Sequence, residues 1–382
     1  MLPEDWKKRS VAEVCRSVSV GVVIKPSQYY VSASEGIKAF RSANVKEGQV
    51  NNSDWVYFSH KGHNENKKSE LKTGDVLVVR TGYPGTACVV TPQYAGCNAI
   101  DVVIARPDIQ KIIPTYLCLF TNSEYGKSQV ANLQGGMAQK HLNVGAYQQV
   151  EIPLPPLPEQ KKIAAILSTW DRAIDGTEKL LANSQQQKKA LMQQLLTGKK
   201  RLPGFTGEWK TKYLGDIADI QTGRSNRQDS LTNGEYTFFD RSEDIRTSNR
   251  YLFDCEAVIV PGEGQDFVPK YFIGKFDLHQ RTYAISCFQA CDGKFIFYTV
   301  GYHRSHFLSQ AVGSTVKSLR LPMFQKMPLK LPPLPEQRAI AAVLTTADEE
   351  LTALESDLSR LRQEKKALMQ QLLTGKRRVT VD

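Results

Sequence analysis

The sequence is poor in the features that would mark a membrane protein, a disulfide scaffold or a catalyst. None of its 382 residues falls in an apolar run near the ~20 needed to span a bilayer. The opening, MLPEDWKKRS, lacks the apolar centre of a secretory leader, so a cytoplasmic location is expected. Seven cysteines form no CxxC pair, and an odd count does not suit a disulfide framework. The closest spacing, Cys287-x-x-x-Cys291, reads as thiols in or near a strand core rather than as a metal site. Histidine is scarce. His60 and His63 are spaced HxxH but sit among Lys61, Lys67 and Lys68, which reads as a solvated basic loop. There is no GxxxxGK[ST] for ATP, and Gly262-Glu263-Gly264 lacks the third glycine and following helix of a cofactor loop. No nucleophile–base set is present. The expectation is a chain with no catalytic residue, no metal and no cofactor of its own.

Negative charge is the scarcer sign: 39 acidic residues face 50 lysines and arginines, a net charge of +11. That surplus favours a polyanionic partner but does not by itself identify one.

What the chain has is a phrase written twice. Leu154-Pro155-Pro156-Leu157-Pro158-Glu159-Gln160 returns from Leu331 to Gln337, and KKALMQQLLTGK from Lys188 returns unchanged from Lys365. The differences 331 − 154 and 365 − 188 both give 177, so the segment between the motifs has one length in both copies. Within it, apolar residues recur at alternating steps of four and three, the spacing of a heptad seam. The seam comprises Ile163, Leu167, Trp170, Ile174, Leu181 and Leu191 in the first copy. In the second it comprises Ile340, Leu344, Leu351, Leu354, Leu358, Leu361 and Leu368. Pro158 and Pro335 suit a first helical turn, Glu159 and Glu336 favour its positive end, and Gly198 and Gly375 suit the stop. Each helix then runs to nearly 40 residues, roughly 55–60 Å. A single exposed seam of that length needs a partner, and two copies in one chain supply each other. If the block between them starts and finishes near one end of the rod, they form an antiparallel coiled coil. LPPLP also matches a PxxP ligand, but its recurrence just before a helix favours a structural lead-in.

Two unlike blocks alternate with the copies. Short β-branched runs broken by glycine turns, such as Asp75–Val79 and Ala257–Val260, predict compact sheets with some helices. Trp6 and Trp209 open the blocks. Near their ends Lys140, Tyr147 and Ile152 align with Lys317, Phe324 and Leu329 at the same offset. The expected fold is α+β with an internal pseudo-two-fold repeat. Its parts are a globular mixed domain over 1–152, a helical spacer over 153–203, a second mixed domain over 204–329 and a second spacer over 330–382.

The unit PLPPLPEQ–helix–KKALMQQLLTGK, present twice around two unlike blocks, resembles the specificity subunit of type I restriction-modification systems, a prokaryotic defence against foreign DNA. The resemblance covers essentially the whole chain. It implies two target-recognition domains, each reading half of a split site in double-stranded DNA. It also implies helices that space them and dock two methyltransferase (modification) subunits, which restriction subunits join. S-adenosylmethionine, and ATP and Mg in the restriction complex, would belong to those partners. In keeping with this, the chain lacks the [DNS]PP[YFW] tetrapeptide by which DNA-methylating enzymes hold a flipped base.

Residue types suited to phosphates and base edges single out the DNA-contact candidates. In the first block they are Lys61, His63, Lys67, Lys68, Arg80, Tyr83 and Lys140. In the second they are Arg224, Ser225, Asn226, Arg227, Arg241, Gln265, Lys270 and Lys317. The competing reading is an adaptor carrying two protein-binding modules on a coiled coil.

Overall fold

The computed structural model describes residues 2–133 and 141–380. They form two compact units. Unit one comprises Met1–Thr177 with Asp357–Asp382, and unit two comprises Glu178–Ser356. The architecture is α+β, with mixed sheets and short helices in each unit. Two helices of 39 residues, Leu157–Leu195 and Leu334–Leu372, contribute about half their length to each unit. Among the described residues no helix is long and apolar enough to cross a membrane.

In unit one the strands Cys15–Val20, Val102–Pro107, Val76–Val79 and Ala87–Val89 form an antiparallel sheet in that order. Val76-Leu77-Val78-Val79 has no polar member because it is buried on both faces. Side chains alternate across a strand. Val76 and Val78 therefore enter the core that faces the long helices, and Leu77 and Val79 enter a second core with Phe40 and Tyr94. A smaller sheet of Asn98–Ala99, Gly36–Phe40, Val56–Ser59 and Tyr30–Val31 lies beyond.

Unit two repeats the plan in one six-stranded sheet: Asp219–Thr222, Thr282–Ser286, Phe253–Pro261, Lys270–Leu278, Tyr236–Phe239 and Arg246–Ser248. Its central apolar run also divides two cores, Val258 and Val260 on one side and Ala257 and Ile259 on the other. Each unit closes with a two-stranded ribbon, Lys7–Ser10 against Glu151–Leu154 and Lys210–Tyr213 against Pro328–Leu331. Tyr147 and Phe324, aligned in the sequence, are both fully buried, as are Ile152 and Leu329.

The doubled motif makes the same junction twice. In unit one Glu159, 2% exposed, accepts from Trp6 Nε1 at 3.1 Å and from Arg378 Nε at 2.8 Å. In unit two Glu336, fully buried, accepts from Trp209 Nε1 at 3.3 Å and from Arg201 Nη2 at 2.6 Å. Gly375 and Gly198 adopt φ of +73° and +71°, the left-handed stop that glycine tolerates. A Cβ on Gly375 would meet Pro3 Cδ at 2.6 Å, and one on Gly198 would touch the Trp209 ring at 3.5 Å. So the tryptophan that opens each block packs on the end of one long helix and bonds to the start of the other. Pro155 and Pro332 are buried, while Pro156, Pro158, Pro333 and Pro335 are exposed, so each proline run enters its unit at one residue and leads into the long helix.

Within each unit the helices run antiparallel. In unit one Glu159 meets Arg378 while Asp171 meets Lys365; in unit two Ser184 meets Glu350 while Lys188 meets Asp348. The seam residues are buried or half-buried: Ile163, Leu167, Ile340, Leu344 and Leu358 are buried, and Trp170, Ile174, Leu181, Leu191, Leu351, Leu354, Leu361 and Leu368 half-buried. All seven cysteines are free thiols. Burial pushes the Cys88 thiol up to about 12 and the Cys97 thiol up to about 11, which keeps both protonated and unreactive.

Candidate nucleic-acid interface

Basic and amide side chains gather on loops at the sheet ends of each unit. In unit one the segment His60–Ser69 carries Lys61, Lys67 and Lys68, all exposed. Ser59 caps its helix by accepting from Gly62 N at 3.1 Å. Lys61 pairs loosely with Glu65 at 3.9 Å, Lys67 with Glu70 at 2.9 Å, and Lys68 makes no hydrogen bond among the described residues.

Three sequence candidates are inside rather than on the surface. His63 is 7% exposed, with Nδ1 2.6 Å from Asn98 Oδ1 and Nε2 receiving the Lys67 ammonium at 2.9 Å. Arg80 is 8% exposed and donates from Nε to Leu142 O at 3.0 Å; its other nitrogens bond to Asp101 and His141. Ser225 is 1% exposed and donates to Asp277 at 2.7 Å. Their polar atoms are engaged with protein partners. The sequence marks polarity but not inwardness, and all three sit beside exposed basic or aromatic residues that look alike in one dimension.

Arg80 anchors the turn Thr81-Gly82-Tyr83-Pro84-Gly85, from which Tyr83 projects, 85% exposed. The turn is pinned by Leu142 N donating to Arg80 O at 2.9 Å. Unit two builds the same feature: Leu319 N donates to Gly262 O at 2.7 Å and pins Gly262–Phe267, while Glu263–Gly264 pairs with Lys317–Ser318. Leu142 and Leu319 share the repeat offset, yet the loops they hold do not, so the sequence names both loops without aligning them. Gln265 is exposed on the second loop and Lys317 half-buried beside it. Lys140, the counterpart of Lys317, lies outside the described residues.

Around this loop Arg241 bonds to Glu263 at 3.4 Å, and Arg281 pairs with the same carboxylate. Lys270 donates to Ser242 O at 2.6 Å and Glu243 O at 3.0 Å, which fixes the adjoining turn. Burial pushes the Lys270 ammonium below its usual value against the pull of Asp240, Glu243 and Asp244. Burial also pushes the Asp240 carboxyl up, but hydrogen bonds from Ser242 and the charge of Arg246 outweigh it and leave the group below its usual value.

The loop Thr222–Ser230 carries two arginines, Arg224 and Arg227. Both are exposed, and among the described residues neither guanidinium makes a hydrogen bond, while the Arg227 carbonyl accepts from Ser230 Oγ at 2.7 Å. Asn226 is half-buried and accepts from Gln280 Nε2 at 2.5 Å. Asp277 underpins the loop. It is 1% exposed and accepts from Ser225, from Ser248 at 3.1 Å, from Arg250 Nε at 3.3 Å and from Leu278 N at 2.9 Å. Asp277→Asn is expected to lower the stability of unit two by about 2 kcal/mol, because hydrogen bonds to a buried charge are among the stronger ones. Urea denaturation checks this, and an unchanged midpoint would contradict it. Among the described residues no three His, Cys, Asp or Glu side chains assemble into a metal site.

Loops that carry exposed cations, glycine turns and amides, mounted on sheets, suit phosphate and base-edge contacts. Comparison with known proteins points the same way. Residues 3–183 and 206–360 match the family model described as the type I restriction modification DNA specificity domain. A Methanocaldococcus jannaschii protein named as type I restriction enzyme MjaX specificity subunit is 24% identical, over 99% of this chain and 95% of its own. The S subunit of a type I restriction-modification system from M. genitalium has the same fold, with a TM-score of 0.66 at 13% identity and 98% of both chains covered. A structure concerned with assembly and conformational transition of the type I R-M system superposes with a TM-score of 0.60 at 18% identity, over 99% of this chain and all of that one.

Proposed function

The chain belongs to the type I restriction-modification DNA specificity family, and on that premise we propose that each of its two units reads one half of a bipartite target in double-stranded DNA. The paired helices set the unread gap between the halves. They also dock two modification subunits that methylate adenine, which restriction subunits join. The chain contributes recognition, and S-adenosylmethionine, ATP and Mg²⁺ are held by those partners.

The observation that carries this reading is the matched construction of the two candidate surfaces. Leu142 and Leu319 pin equivalent loops, and each unit presents exposed lysines or arginines free to meet phosphates, in a chain of net charge +11. What differs between the units is the side chains the loops offer, which is what two different half-sites require. Binding by the chain alone is expected to be weak and to fall steeply with salt, since phosphate contacts dominate.

The spacing role has a direct test. Four residues inserted after Thr177 and four after Leu354 lengthen both helices by ~6 Å, about two base-pair steps. Mapping methylated adenines in cells that carry the variant is expected to show both half-sites unchanged and a wider gap. An unchanged gap would contradict the spacing role.

A further inference from the structure

Resting on that reading, we infer that the loop Gly21–Tyr29, and Ile24 above all, reads the methyl group of a thymine in the half-site of unit one. The sequence gives this loop no basic cluster to draw attention to it. Its backbone, however, is built like that of the arginine-bearing loop of unit two. Val22 N donates to Ala99 O at 2.8 Å and Val22 O accepts from Asp101 N at 3.2 Å. In unit two Ser225 N donates to Leu278 O at 3.2 Å and Ser225 O accepts from Gln280 N at 2.9 Å. Both are isolated parallel bridges, Val22 to Ile100 and Ser225 to His279. A glycine precedes each bridge where a side chain has no room: a Cβ would lie 2.3 Å from Ala99 O at Gly21 and 1.7 Å from Leu278 O at Gly223. A 3₁₀ turn follows each, Pro26–Tyr29 and Arg227–Asp229. Unit two differs by one residue, Arg224, between glycine and bridge.

The residues that follow the two bridges differ in character. Unit two has Asn226 and then Arg227, which opens its turn. Unit one has Val23 and Ile24, 51% and 79% exposed, and then Lys25 ahead of its turn. Scattered surface apolar residues are ordinary, but these two are consecutive and held out by a constrained backbone. Lys25 sits in the left-handed region at φ 44°, Pro26 fixes the next φ, and the Tyr29 ring packs on Phe58 at 5.4 Å. Tyr29 also covers Gly62 on the helix that carries Lys61, which ties the foot of this loop to that helix. In the major groove thymine alone presents a methyl, and apolar side chains read it, whereas arginine suits guanine.

The test uses the chain in complex with its modification subunits. The target is first mapped from the adenines the complex methylates, and each thymine is then replaced in turn by deoxyuridine, which removes only the methyl. At one thymine of the unit-one half, affinity is expected to fall about fourfold, the value of one buried methylene. With Ile24→Ala the methylated target should already bind about fourfold more weakly, and the same deoxyuridine should then have no further effect. Val23→Ala serves as a neighbouring control, and unchanged thermal unfolding of both variants shows that folding is intact. If no deoxyuridine effect depends on Ile24, the inference is overturned while the proposed function stands. If no bipartite target emerges at all, it is the proposed function that fails.

Discussion

Gln160→Leu is expected to destabilise unit one by about 3 kcal/mol, the loss that follows when hydrogen-bonded buried groups lose their partner. The side chain is fully buried at the start of the first long helix. Its Nε2 donates to Pro155 O at 2.9 Å and to Lys111 O at 3.0 Å, and its Oε1 accepts from Ile113 N at 2.9 Å. One amide thus ties the proline lead-in, the loop before helix Pro114–Asn122 and the long helix together. Leucine fits the volume but leaves three backbone groups unpaired. Gln337 makes the matching junction with fewer bonds, to Pro332 O at 2.8 Å and from Asp292 N at 3.0 Å. Gln337→Leu should therefore cost about 2 kcal/mol in unit two. Hydrogen exchange followed separately in the two units measures both, and a loss well below ~1 kcal/mol in each would show that the motif is retained for some other reason.

These glutamines show where sequence reasoning reaches and where it stops. The long helices were legible because their signals are local: a proline-led start, a seam at heptad spacing and a glycine stop. They begin at Leu157 and Leu334, one residue before the expected prolines. The central strands were legible as β-branched runs between glycine turns: Val76–Val79 begins one residue after Asp75, and Phe253–Pro261 contains Ala257–Val260. The purpose of Glu-Gln in the repeated motif was not legible. Its partners Trp6, Arg378, Ile113 and Asp292 lie far along the chain, and no periodicity links them.

The candidate interface was legible only in part, for the same reason. Arg224, Arg227, Lys61 and Lys68 are exposed, as basic loop residues usually are. Arg80, His63 and Ser225 needed the fold to reveal Asp101, Asn98 and Asp277 as their partners. The apolar loop at Ile24 carries no cluster of cations or amides, and a methyl-sized contact leaves no signature in the sequence. Its place emerges only from backbone hydrogen bonds shared with Ser225.

The largest functional effect is expected from exchanging residues 204–329 for the corresponding block of a relative that has different loop residues. The ribbon strands Lys210–Tyr213 and Pro328–Leu331 bracket this block, and buried Phe324 and Leu329 anchor it, so a graft that keeps these positions preserves the core beneath. The loops at Arg224, Arg241 and Gln265 change with the graft, while those at Lys61, Tyr83 and Ile24 do not. Each mismatched base pair typically costs ~1–3 kcal/mol, so a new half-site of several bases abolishes use of the old one.

Mapping methylated adenines genome-wide in cells that carry either the original or the exchanged chain with its modification subunits is the most direct test. The prediction is one bipartite motif from each, sharing one half and the gap and differing in the other half. A motif altered in both halves, or in neither, would contradict the assignment of one half-site to each unit.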